Sequence, residues 1–216
     1  MISRYLKKNV KRILDGRLFI QRLPASFADS VLLTFDDGPH PIVTPRILDL
    51  LDAHGVLACF FVVGKFVVEA PELLRDIVSR GHAVGNHTYS HDSAGMGVRA
   101  YVEDLQKCQE VIRNGAGVEA RLFRPPRGRV TVAGTLAART LGQRQLLWSV
   151  EGGEWGFGKD RSAAEIGGRL AADVKGGDIV LLHDNNEKTP VIVEMLLPVL
   201  AQKGFDLTSS VCRLTG

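Results

Sequence analysis

Seven short apolar runs, each followed by a helical pattern or a turn, leave this chain few folds to choose from. The runs are 30–33, 56–63, 82–86, 121–124, 144–150, 178–182 and 205–208. Helical periodicity fills 45–54, 71–79, 98–113, 132–140, 162–174 and 190–203, and Ser162 with Glu165 forms a capping box. The run 56–63 (VLACFFVV) is apolar throughout, as a strand buried on both faces requires. Strands alternating with helices predict an α/β protein with a parallel sheet. About seven such units in 216 residues favour a barrel over an open sheet and predict a single body.

Composition narrows the function classes. Residues 1–22 hold seven basic side chains against Asp15, a net +6, which leaves −3 for the remainder of a chain of net +3. The mildly acidic body gives no support for nucleic-acid binding. Residues 2–20 carry apolar positions at helical spacing with lysines and arginines between them. This basic amphipathic segment, taken as 1–28, is a helix packed on the body or an interfacial helix making peripheral contact with an anionic membrane through residues 2–22. No run is apolar enough to span a bilayer, and no signal-peptide core is visible. Cys59, Cys108 and Cys212 show no paired spacing, which fits a reducing compartment. The expectation is a cytoplasmic protein, at most peripheral at the inner membrane face.

The polar residues fall on one edge. Asp36, Asp37, His87, His91, Arg124, Glu151 and His183 all lie at or just past the C-terminal end of a predicted strand. In parallel α/β folds that edge carries the active site. Neighbours on a strand point to opposite faces, so Asp36 and Asp37 serve different purposes. His87 and His91, four apart, face the same way if their loop takes one helical turn. With one carboxylate they make the three protein ligands of a catalytic zinc site. His183 is either a core histidine or a general acid. Arg124, stiffened by Pro125 and Pro126, suits the orientation of a carboxylate. His40, His54 and His82 read as structural.

Five stretches in order carry a family likeness: TFDDGPH at 34–40, HTYSH at 87–91, RPPRG at 124–128, EGGEW at 151–155 and LLHD at 181–184. Together they resemble the polysaccharide deacetylases, carbohydrate esterase family four, which share the NodB homology domain. The likeness covers roughly 30–210 and places that domain at 29–216. It implies a distorted, incomplete (β/α) barrel and a metal-dependent hydrolase that removes N-acetyl groups from an amino sugar or saccharide. On the family pattern Asp36 is the base, and Asp37, His87 and His91 hold the metal, zinc or another divalent ion such as cobalt. Arg124 orients Asp36, and His183 is the acid, held by Glu151. Trp155 and Leu181 wall the acetyl pocket, and the Arg127 backbone N–H shares the oxyanion. Two departures stand out: Arg127 replaces an aromatic residue, which points to an anionic or phosphorylated substrate, and Glu151 and Glu154 replace aspartates. Hydrolysis of another carbon–nitrogen bond on the same site, or saccharide binding by a decayed site, are the alternatives.

Overall fold

The computed structural model describes residues 19–92 and 94–211. Most of the basic segment at 1–28, and with it most of the expected membrane contact through 2–22, lies outside the described residues, as does Cys212. Eight parallel strands form one curled sheet, an open half-barrel. In chain order they are β1 (Phe19–Ile20), β2 (Leu32–Asp36), β3 (Ala58–Val62), β4 (Ala83–Asn86), β5 (Leu122–Phe123), β6 (Arg144–Leu146), β7 (Val150–Glu151) and β8 (Ile179–His183). Across the sheet they run β1-β6-β5-β4-β3-β2-β8-β7. Helices α1 (Val43–Ala53), α2 (Gly64–Glu69), α3 (Pro71–Ser79), α4 (Val98–Ala116), α5 (Val132–Thr140) and α6 (Ala163–Asp173) lie in the crossovers, and α7 (Thr189–Gln202) follows the last strand.

The period of two sorts β2 into its faces. Leu33 and Phe35 join the large cluster shared with α1, α6 and α7, whereas Leu32 packs with Phe61, Leu122, Leu146 and Ile179 on the concave side. Thr34 and Asp36 continue the concave face toward the C-terminal end. There apolar packing stops and polar chemistry begins.

Three expected elements differ. Phe19 and Ile20, included in the N-terminal helical pattern, instead pair with Gln145 and Leu146 as the first edge strand. Strand pairing and burial there override the local periodicity. The run 144–150 splits into β6 and β7, because the chain leaves β6, next to the β1 edge, at Leu146 and rejoins the sheet at the opposite edge at Val150. Phe205–Thr208 forms no strand and offers only the single bridge from Asp206 to Ser30. The helix containing Pro198 runs unbroken from Thr189 to Gln202. Among the described residues no helix is long and apolar enough to cross a membrane.

Candidate active site

Every predicted site residue comes to the C-terminal rim of the sheet. Asp36 ends β2 and stands beside His183, its register partner at the end of β8. His87 follows β4 and Arg124 follows β5. Asp37, one residue past β2, takes a left-handed conformation with φ 73°. Thr88, His91 and Arg127 share that region, and these four are its non-glycine occupants among the described residues. Such a conformation costs roughly 1–2 kcal/mol per residue, and strain of this kind collects where function needs it.

Arg124 is fully buried beneath Asp36. Its Nη1 donates to Asp36 Oδ1 at 2.7 Å and to Thr34 Oγ1 at 2.8 Å. Nε and Nη2 donate to the Leu146 and Leu147 carbonyls, each at 3.0 Å. The guanidinium lies 4.2 Å from the Phe61 ring centre. A buried arginine with every face engaged has one geometry, and it imposes one orientation on Asp36.

His87 Nδ1 lies 2.8 Å from the Arg124 carbonyl oxygen. A carbonyl can only accept, so Nδ1 carries a proton and the second ring nitrogen, Nε2, is turned toward Asp37. That Nε2 points at Asp37 Oδ1, 3.2 Å away, and His91 Nε2 reaches the same oxygen at 3.0 Å. The three ligand atoms lie within 4.8 Å of one another. One carboxylate and two imidazoles, with the buried imidazole fixed by a carbonyl behind it, fit a divalent cation with positions left for water or substrate. Burial opposes ionisation of Asp37, but the hydrogen bonds from His87 and His91 outweigh it and hold the carboxyl below its usual range.

The loop bearing the histidines is not the helical turn that their spacing suggested. Asn86 accepts from the Thr88 N–H at 2.8 Å and donates to the Leu105 carbonyl at 3.0 Å. Asp104 on α4 accepts from the N–H groups of Tyr89 and Ser90. Left-handed residues at Thr88 and His91 then fold the chain back so that both rings meet Asp37.

A cavity of about 370 Å³ opens over these groups, walled by Arg127, Trp148, Glu151, Trp155 and Leu181, with His183 at its side. That volume is within the usual range for small-molecule sites, about 300–1,000 Å³. His183 is not held by Glu151. Its Nδ1 lies 3.2 Å from Glu154 Oε1, which also accepts the His183 backbone N–H at 2.9 Å. Glu151 Oε2 instead accepts from the Trp148 indole at 3.1 Å. The reason is the turn at Gly152–Gly153 (φ 78° at Gly153), which brings Glu154 back beneath β8 while Glu151, still in β7, faces the cavity. Burial lowers the His183 pKa, but the Glu154 carboxylate and the charges of Asp36 and Asp37 carry it above the usual histidine value.

The model for polysaccharide deacetylases matches residues 26–146, more than half of the chain. A chitooligosaccharide deacetylase of Azorhizobium caulinodans is 33% identical over 196 residues, covering 82% of this chain and 91% of its own length. The chain belongs to the polysaccharide deacetylase family. The peptidoglycan-N-acetylglucosamine deacetylase PgdA of Listeria monocytogenes is 30% identical over 201 residues, 92% of this chain but 42% of that protein. Among solved structures, a pseudoenzyme of carbohydrate esterase family four from Bacillus anthracis superposes with a TM-score of 0.81 at 26% identity, over 88% of this chain and 66% of that one.

Several residues around this family site were not singled out from the sequence. Thr34, two residues before Asp36 on the same strand face, could have been found from the period of two. Asn86, Asp104 and Trp148 act through folding of distant segments. Asp184, also buried, accepts from the Thr44 hydroxyl at 2.7 Å, and burial pushes its carboxyl up to about 7. His82 is buried and accepts from the Ala58 N–H; burial lowers it to about 4, in keeping with a structural role.

Proposed function

We propose that this member of the polysaccharide deacetylase family is a metal-dependent N-deacetylase that hydrolyses the acetamide of an N-acetylated amino sugar in a saccharide. The observation that carries the reading is the convergence of two imidazoles on Asp37 beside a second carboxylate, Asp36, locked by a buried arginine. Asp37, His87 and His91 hold the cation, zinc or another divalent ion, which when bound supplies Lewis-acid polarisation and an acidified water.

The remaining work belongs to the chain itself. Asp36, fixed by Arg124, takes the proton of the attacking water through its free oxygen. The backbone N–H of Arg127 donates to the oxygen that becomes negative, a contribution of about 3–4 kcal/mol per donor in other enzymes. His183, kept protonated by Glu154, delivers a proton to the leaving nitrogen, because an amide nitrogen departs only as an amine. Trp155 and Leu181 bound the space for the acetyl methyl. Acetate and a free amino sugar result.

The solved pseudoenzyme neighbour raises a binding-only site as the second reading. Against it stands the presence of Asp36, Asp37, His87, His91 and Arg124 in one connected arrangement, with His183, tied to Glu154, lining the same cavity. Acetate release from N-acetylglucosamine oligomers, measured on metal-stripped protein and again after zinc or cobalt is returned, separates the two. Release that requires metal and disappears in Asp36→Asn supports the deacetylase. Stoichiometric metal binding without acetate from any N-acetyl sugar leaves binding, or a different carbon–nitrogen bond.

A further inference from the structure

A second cavity of about 210 Å³ adjoins the first, and the two share Arg127, Gly128, Trp148 and Glu151 as a common wall; Gln21 and Leu147 close the far side. Gly128 permits this junction, since a Cβ there meets the Trp148 ring at 2.5 Å and its φ is +62°. Trp148 therefore lies flush against the backbone beside Arg127. The Arg127 side chain is exposed and has no hydrogen-bond or ion-pair partner among the described residues. The other charge at the junction, Glu151, is engaged by the Trp148 indole N–H. One unpaired guanidinium thus stands where the reacting cavity passes into a neighbouring one.

We propose that the second cavity is a subsite of the deacetylase and that Arg127 reads an anionic substituent there, a phosphate or a carboxylate carried next to the N-acetyl group. This rests on the deacetylase reading for the reaction, but not for the binding. A guanidinium offers paired N–H donors that match either oxyanion, while Trp148 supplies an apolar face for the sugar. The amide of Gln21 adds a polar lining group. Glu151 across the junction sets the strength of the preference, because its charge opposes the same anion.

The test compares three probes: an N-acetylglucosamine disaccharide, the same disaccharide bearing a phosphate monoester, and one bearing a carboxylate. Binding is measured by calorimetry on zinc-loaded Asp36→Asn protein, and kcat/KM on the wild-type background. Each anionic probe is compared with the neutral one as a ratio, so damage to the fold or to the Arg127 backbone N–H cancels. The expected result is a preference of about tenfold or more for one anionic probe, lost in Arg127→Gln and partly kept in Arg127→Lys. Which probe is preferred names the anion. Glu151→Gln raises the ratio, and added salt lowers it, since the guanidinium is open to solvent.

Equal binding of all three probes by the wild-type chain, or a preference unmoved by Arg127→Gln, overturns the proposal. If the preference appears in binding while no probe yields acetate, the subsite stands and the deacetylase reading fails.

Discussion

The two halves of the site are built differently. The half that holds Asp36, His87 and Arg124 is made from strand ends, and those three side chains are 5%, 2% and 0% exposed. Its hydrogen bonds run into the sheet itself, to the carbonyls of Leu146 and Leu147 and to Thr34. The half that holds His183 and Trp155 depends on the glycine-rich loop after β7. His183 is 17% exposed and Trp155 is 56% exposed. Among the described residues Glu154 is the one acidic side chain that ties His183 to that loop. The difference teaches that the placement of Asp36, His87 and Arg124 is a property of the sheet, whereas the partner of His183 and part of the cavity wall are properties of one loop. Damage to the first should unfold or silence the protein. Damage to the second should retune it.

The largest effect is expected from Arg124→Met. It keeps bulk against Phe61 but leaves Asp36 buried without its cation and two carbonyls without donors. Breaking one partner out of a buried pair costs about 3–5 kcal/mol, a large share of a typical domain's stability. Urea unfolding with an unchanged m-value and a lower midpoint is the expected reading, together with loss of acetate release. A stability loss below 1 kcal/mol would break the comparison, because the sheet-built half would then be no more integral than the loop.

An intermediate effect is expected from Glu154→Gln. The amide still accepts the His183 backbone N–H, so the loop stays in place, but the negative charge is gone. His183 sits above its ordinary pKa because of that charge. On the proposed reading the protonated imidazole is the acid, so activity is present below the raised pKa and is lost as pH rises through it. Without the carboxylate, the alkaline limb of the pH–rate profile shifts to lower pH. The rate falls by about tenfold or more, part of the 10²–10⁴ that a positioned acid contributes. Unfolding in urea should change little. An unmoved alkaline limb would show that Glu154 only holds the loop.

How much of this could be read beforehand follows the same division. Strand-end residues announce themselves, because each ends an apolar run whose direction and face are set by the period of two. Asp36, His87 and Arg124 were visible for that reason, and so was the parallel half-barrel that collects them. What the loops do was hidden. The spacing of His87 and His91 suggested a helical turn, yet the rings meet through left-handed residues that Asn86 and the distant Asp104 stabilise. The edge strand at Phe19–Ile20 depends on pairing with residues more than 120 positions away. A run of basic and apolar residues carries no trace of such a partner. Glu151 and Glu154 lie three residues apart with a glycine pair between them, and only the turn at that pair decides which one meets His183.

The smallest expected effect therefore makes the sharpest check. Glu151→Gln removes a charge three residues from Glu154, but on the cavity side of β7. Its carboxylate oxygen accepts from Trp148, and an amide oxygen can accept the same bond. Stability should stay within about 1 kcal/mol, the scale of one hydrogen bond. The alkaline limb should stay where it is in the parent protein, because Glu151 does not bond the imidazole that titrates there. Neutral N-acetyl sugars should show at most a modest change in rate. If Glu151→Gln moves the limb as far as Glu154→Gln does, then the loop rearranges in solution to bring Glu151 to His183. The division between a rigid half and a tunable half would then run through β7 itself.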